Sequence, residues 1–365
     1  MVLQDECDFD KPPFSKYQND LVASLGVEVI IKKLSGPDSR QDPIFLENQE
    51  FDFIVDNWSK NVQNATFTLG LANSCNVQQY VFISSGGVYE DSEMVPLKEC
   101  SPVTENNARR VEKVIEESNI SYTFIRPQVI LTKYQMQPLE AIFFQIINWS
   151  ILLISSFILI LSYCTQYIYG PNSNKRHLDF FIGRAARKLP IPIPYHGDQL
   201  VSLTHVEDVC SLITCTIGNK KAENQAFNCA TNRFITYRGL ADSLHKALNN
   251  DENDVKYLYY NPGDFTHWES GGTMQFPFRK NTFIVSSNKA IIQLGWKARH
   301  DFVQDILGQV ELYKSLNDAK KEWTMDELRY DLEIMASKDP KFMFTYPFFD
   351  GEDVNVESRP YFFEK

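Results

Sequence analysis

Three groups of residues in this chain have types and spacings that could do chemistry. Asp56 and Asn57 stand at the end of the run 51–56 (FDFIVD), a short, mostly apolar run that reads as a strand. A carboxylate and an amide at the C-terminal end of a parallel strand lie where open α/β sheets hold their ligands. Asp52 falls on the face of Asp56 if the strand is regular. Asp52 and Asp56 could therefore hold a divalent cation such as Mg2+, with Asp56 and Asn57 serving catalysis on a phosphodiester. The competing reading is that Asp56-Asn57 caps the following turn or helix. His205 and Asp208, three apart, would share one helical face as a ligand pair or simply open a helix beside a pocket. Lys175 and Arg176 are followed by Arg184, Arg187 and Lys188, the last three at i, i+3, i+4 spacing on one helical face. That face could grip phosphates or be an ordinary solvated cationic face, and Arg109-Arg110 offers a smaller patch with the same two readings. Neither patch carries the interleaved aromatics that stack single-stranded bases.

The composition limits what these groups can do. With 365 residues, 43% hydrophobic and 13% aromatic, the chain can bury one large α/β core or two unequal ones. A formal net charge of -11 repels polyanions at long range, so an RNA contact must come from a local basic patch. The seven cysteines form no CxxC pair and no metal-ligand spacing, which points to buried thiols in a reducing compartment. The first thirteen residues are acidic and carry proline. They have neither the apolar stretch of a signal peptide nor the Arg/Ser-rich character of a transit peptide.

The elements that must position these residues alternate. Short apolar runs at 27–32, 51–56, 80–84 and 122–126 read as strands, with helical stretches at 59–76 and 105–118 between them. This order predicts a Rossmann-like, doubly wound parallel sheet. The run 27–32 suits its second or third strand, so the opening strand and its glycine-rich turn are expected to be missing, and no GxGxxG or GxxGxxG occurs anywhere. NAD(P) binding is accordingly doubtful. After Pro190 the texture changes. Strands at 200–203 and 226–229, a helix opened by 205–208, and helices at 237–248, 286–295, 301–315 and 324–336 predict a smaller C-terminal α/β lobe over 191–340, with a tail at 341–365. The Rossmann-like domain is assigned to 14–128 plus 167–190.

The segment between, residues 129–166, breaks the pattern. From Ala141 to Asn174 there is no charged residue, and 142–161 (IFFQIINWSILLISSFILIL) is nearly continuous hydrocarbon, long enough to cross a bilayer. A single span cannot return both flanks to the same sheet. Joining Gln128 directly to Tyr167 gives FIRPQYIYGP, a turn of the RPxxxYG type that follows a central strand in extended short-chain dehydrogenases. Three readings stand for the insert: a retained in-frame intron, a membrane or interfacial helix, or a buried insertion helix. Only the second brings a membrane partner.

The stretch Phe82-Ile-Ser-Ser-Gly-Gly-Val-Tyr89 resembles the SSxxVY strand end of the same superfamily, with Ser85 matching the substrate-binding serine. The YxxxK pair of active members falls on Thr104 and Ala108, which cannot carry proton transfer, so dehydrogenase or epimerase chemistry is not expected. A further ordered series is Lys11-Pro-Pro-Phe14, Phe51 to Asn57, Phe181 to Pro194, Leu203-Thr-His-Val-Glu-Asp-Val209, Ala226-Phe-Asn-Cys229, Phe276-Pro-Phe-Arg279 and Leu294-Gly-Trp296. Together these are similar to the chloroplast stem-loop-binding protein family, atypical short-chain dehydrogenase relatives that bind RNA. The resemblance implies a plastid protein with structured RNA as partner, association with ribosomes or transcription complexes, a homo- or hetero-oligomer, and in one form an endoribonuclease dependent on a divalent metal. It makes Ser85, Tyr89, Arg126, His205 and Asp208 pocket candidates. An NAD(P)-dependent nucleotide-sugar epimerase or dehydratase and a catalytically silent scaffold remain the alternatives.

Overall fold

The computed structural model describes residues 2–5, 29–32, 50–128, 158–161, 167–171, 177–249, 255–268, 275–315, 323 and 325–338. Seven parallel strands form the main sheet: β1 (Val2–Asp5), β2 (Val29–Lys32), β3 (Phe53–Asp56), β4 (Gln79–Ile83), β5 (Tyr122–Pro127), β6 (Ile158–Leu161) and β11 (Gln225–Cys229). Their spatial order is β11-β5-β4-β3-β6-β1-β2. This is the Rossmann-like α/β sheet that the alternation of strands and helices predicts.

Side-chain alternation shows why the sheet is wound on both faces. Ile54, Tyr80, Phe82 and Phe124 pack with Ala65, Leu69, Leu71 and Val111 of α1 (Val62–Ser74) and α2 (Asn107–Glu116). Their neighbours Val55, Val81, Ile83, Ile125 and Phe227 face the other way, onto Val209, Leu212 and Ile213 of α4 (Val206–Thr216) and Ala290 of α6 (Asn288–Leu294). Strands covered on both faces read as continuous apolar runs, and those runs are what made them legible in the sequence.

The sequence predicts a sheet without its opening strand, whereas in the structure the position between β3 and β1 is filled by β6. Phe53 to Asp56 pair with Ile158 to Leu161 one to one, and Val2 pairs with Ile160. The last four residues of the hydrocarbon stretch are thus a strand, which corrects the helical reading of 142–161 over that part. A four-residue run of Ile and Leu satisfies its backbone through neighbours on both sides as well as in a helix, and sheet context decides between them. The rest of the insert, 129–157, lies outside the described residues. β1 was not anticipated either; four residues with two apolar side chains give too little periodicity to detect. Among the described residues no helix is long and apolar enough to cross a membrane.

The second core is built from α3 (Asp179–Ala186), α5 (Tyr237–Asn249) and α7 (Phe302–Ser315), packed with the parallel pair β8 (Ile191–Pro194) and β13 (Tyr257–Tyr260). In β8 the prolines alternate with donors. Ile191 N–H and Tyr195 N–H bond Lys256 O and Tyr260 O at 2.8 and 2.7 Å, while Pro192 and Pro194 occupy the positions that need no donor. Of two further short pairs, β7 (Ile168–Tyr169) with β10 (Thr204–His205) has Ile168 in the main-sheet core and Tyr169 in the second, while β9 (Leu200–Val201) with β12 (Ile235–Thr236) packs in the second core. The chain interleaves the two: after β8 it returns to the main sheet for α4 and β11, leaves for α5 and β13, and comes back for α6. α8 (Met325–Lys338) closes over the second core.

Candidate functional site

At the C-terminal edge of the main sheet, Asp56 is fully buried and all of its acceptor capacity is used. Oδ1 accepts from Trp58 N and Ser59 N at 2.8 and 2.9 Å, and Oδ2 accepts from Thr68 Oγ1 at 3.2 Å and from the Tyr80 hydroxyl. Burial and the neighbouring carboxylate push the Tyr80 phenol far above its ordinary range, so it stays a donor. Asp56 therefore caps the turn after β3, and Asn57 beside it is also buried. Asp52 precedes β3, half-buried, and accepts from Gln78 Nε2 at 2.9 Å. Four residues of strand put it about 13 Å from Asp56. The proposed Asp52–Asp56 metal pair is corrected on that ground: equal strand parity gives a common face but opposite ends, and Asp56 has no free lone pair aimed outward.

The next strand ends assemble a buried polar chain. Glu112 of α2, with no exposed surface, receives Ser84 Oγ at 2.6 Å and the Arg126 guanidinium in a fork, Nε at 2.8 Å and a terminal nitrogen at 2.7 Å. Arg126 also donates to the Tyr89 hydroxyl at 3.1 Å, and Tyr89 donates to Asn228 Oδ1 at 2.6 Å. Burial opposes the Arg126 charge, but the fork to Glu112 more than compensates and raises its pKa. The Tyr89 phenol is pushed up to about 12, chiefly by burial. Ser85 Oγ accepts from Gly87 N at 2.8 Å and so caps the turn carrying Tyr89. Three of the pocket candidates, Ser85, Tyr89 and Arg126, are thus brought together. Glu112 and Asn228 complete the set; Glu112 lies in no motif, and Asn228 lies in the Ala226-Phe-Asn-Cys229 run, which carries resemblance but names no role for it.

Hydride chemistry of the kind the YxxxK pair serves would need proton-transfer residues at the start of α2. Thr104 there bonds Val88 O through its backbone N–H at 2.8 Å, Ala108 is buried, and Asn106 both caps α2 and donates to Gly87 O at 2.8 Å. These residues fasten the helix to the 86–88 turn. They do not fit hydride-coupled proton transfer, and no step through NAD(P) is derived.

His205 and Asp208 part company at the start of α4. Asp208 is buried and accepts the backbone N–H groups of Arg299 and His300 at 2.8 and 3.2 Å. Burial raises its pKa, and those two bonds offset part of the rise. His205 caps α4, with Nδ1 accepting from Glu207 N at 3.2 Å, and its ring stacks on His300 with centroids 3.7 Å apart. Burial and the facing His300 lower its pKa to about 4. The ligand-pair reading of His205 with Asp208 gives way to a different grouping: His205, His300 and Asp305. His300 and Asp305 lie about a hundred residues downstream and carried no sequence signal.

The basic patch is only partly a surface. Arg184 is fully buried, forking to Asp331 of α8 at 2.7 and 3.0 Å and lying 3.9 Å from the centre of the Phe180 ring. α3 ends at Ala186, so Arg187 and Lys188 are not on its continuing face, and Lys188 has φ +55°. Arg187 is half-buried over Trp323 and donates to Tyr313 OH at 3.1 Å. The shared cationic face is corrected accordingly: helical spacing needs a helix that continues, and this one stops. Lys188 is exposed; Lys175 and Arg176 lie outside the described residues.

This geometry matches known folds. The chain is similar to UDP-glucose 4-epimerase from Thermotoga maritima, bound to UDP-glucose, with a TM-score of 0.52 at 16% identity over 87% of this chain and 99% of that one. UDP-glucuronic acid 4-epimerase from Bacillus cereus, in complex with NAD, gives 0.57 at 13% identity over 86% and 90%. dTDP-glucose 4,6-dehydratase from Bacillus anthracis gives 0.53 at 12% identity over 86% and 96%. At such identities the likeness is one of fold, the Rossmann-like α/β architecture that these enzymes share. In sequence, the chain is 27% identical over 258 residues to the chloroplast stem-loop binding protein of 41 kDa b of Arabidopsis thaliana, its curated homologue. That alignment covers 69% of this chain and 57% of the relative, so the chain matches little more than half of the relative's length. No protein-family model matches.

Proposed function

We propose that this chain binds structured RNA in a plastid, using an epimerase-type fold that no longer carries the epimerase's proton-transfer pair. The observation that supports this best is the pairing of sequence likeness to a chloroplast stem-loop binding protein with Thr104 and Ala108 at the catalytic positions. With a net charge of -11, binding depends on a few local cations. Lys188 is one, and Lys175 and Arg176 are the others we assign. Oligomerisation and association with the plastid's ribosome or transcription complexes accompany this reading through the resemblance alone. Endonucleolytic cleavage is the finer proposal, and its cation is not held by Asp56, whose oxygens are committed internally.

The test is binding and cleavage of a hairpin RNA by the full chain, with Mg2+ or with a chelator, between 50 and 200 mM salt. The proposal expects binding that weakens steeply with salt, and weaker binding by Lys175→Glu/Arg176→Glu/Lys188→Glu in a folded protein. Absence of binding by folded protein overturns it and favours the scaffold; Mg2+-dependent cleavage would establish the nuclease. A fluorescent fusion that stays out of plastids overturns the location.

A further inference from the structure

We propose that His205, His300 and Asp305 form a three-residue site for one divalent transition-metal ion of the zinc class, with water completing its shell. The ligand atoms of the three residues all lie within 4.8 Å of one another. His300 Nδ1 is 3.1 Å from Asp305 Oδ2, while Nε2, on the other side of the ring, is 2.9 Å from Glu207 Oε2 and can keep its proton and donate to that carboxylate as an outer partner. Two ligands of a tetrahedral ion, each about 2.0–2.1 Å from it, are themselves about 3.3 Å apart. The His300–Asp305 spacing is therefore close to that of a loaded site, and His205, stacked on His300 with centroids 3.7 Å apart, must rotate its ring to aim a nitrogen at the same ion.

The chemistry of the set selects the ion. Two imidazoles and one carboxylate are borderline donors that suit Zn2+, Co2+ or Ni2+, whereas Mg2+ takes oxygen ligands and keeps its waters. His205 would turn its Nδ1 from the long 3.2 Å bond with Glu207 N to the ion and keep its proton on Nε2. Outer contacts are already in place: the Tyr169 hydroxyl donates to Asp305 Oδ2 at 2.7 Å and fixes that carboxylate. Gly170, at φ +115°, leaves room beside the His205 ring, where a Cβ would stand 2.6 Å from Nε2.

Position gives the ion a purpose. His205 ends β10 and starts α4, which covers the main sheet, while Asp305 lies in the first turn of α7 in the second core. An ion there ties the two cores together across the crevice, independently of whether RNA binds.

The test is titration of chelator-stripped full-length protein with ZnCl2, CoCl2 and MgCl2, followed by calorimetry, the visible absorption of Co2+ and thermal melting. One equivalent of Zn2+ should bind and raise Tm, and bound Co2+ should show the intensified bands of a tetrahedral site. His300→Gln and Asp305→Asn should each weaken Zn2+ binding at least tenfold while remaining folded by circular dichroism. No Zn2+ binding by folded wild type, equal binding by His300→Gln, or Mg2+ binding as tight as Zn2+ would each overturn the site.

Discussion

Replacing Arg184 by Met separates a core ion pair from a phosphate-gripping surface arginine. The guanidinium is fully buried and makes a two-pronged bond to Asp331, with a further bond at 3.0 Å to Phe180 O, and it lies against Phe180 and Trp323. Met fills much of the volume but leaves Asp331 buried without its counter-charge. Burial already raises the Asp331 pKa and Arg184 lowers it, so the orphaned carboxyl would take up a proton or force the helix open. Breaking a buried pair in this way costs about 3–5 kcal/mol. At about 2–4 °C per kcal/mol for large domains, Tm falls by roughly 10 °C. Thermal and urea unfolding followed by circular dichroism should show that loss, and Arg184→Met/Asp331→Leu should recover most of it, since two apolar residues no longer strand a charge. Hairpin RNA affinity, measured below the melting range, should stay within twofold for the single variant. A variant that melts like wild type yet binds RNA tenfold more weakly, with a shallower salt slope, would refute the reasoning and return Arg184 to the surface.

Two further outcomes follow from the described geometry. Tyr89 has its folded pKa raised from 10.0 to about 12, so the folded state holds the proton more tightly; its contribution is complete below pH 10 and is lost as pH rises toward 12. Urea unfolding at pH 9.5 and 11.5 should show wild type losing about 1.7 kcal/mol more than Tyr89→Phe, most of the shift at about 1.4 kcal/mol per unit; equal losses would mean that the hydroxyl is hydrated. Gly170→Ala should lower stability by about 1–3 kcal/mol, because the backbone sits at positive φ and the new methyl would meet the His205 ring. An unchanged Tm would show that the 168–171 turn relaxes freely.

How much of this was legible depended on whether the signal was local. The runs 51–56, 80–84 and 122–126 stood out because both faces of β3, β4 and β5 are covered, so almost every residue is apolar. Helices at 237–248 and 301–315 were found within a residue or two because their apolar stripes face one core. Ser85, Tyr89 and Arg126 could be gathered because they sit at strand ends whose order the alternation had already set. Asp331 with Arg184, and His300 with His205, could not: each partner is distant in the chain, and nothing in the spacing of one names the other. The Asp52–Asp56 pairing failed for a related reason, since a period of two specifies a face and says nothing about which end of the strand a residue occupies. Arg184, Arg187 and Lys188 were misjudged because their common face presumed a helix that stops at Ala186.

The placement of β6 gives residues 129–166 a role out of proportion to their composition. Among the described residues β1 pairs with β2 and β6, and β6 connects that pair to β3. A transcript that splices out those codons would encode a chain without β6, so Val2–Asp5 and Val29–Lys32 would lose the strand that joins them to β3. β3 would then present an unpaired inner edge to any strand able to dock there. The two forms would differ in how many pieces the sheet has, and an added upstream strand could close the shorter form as β6 closes this one.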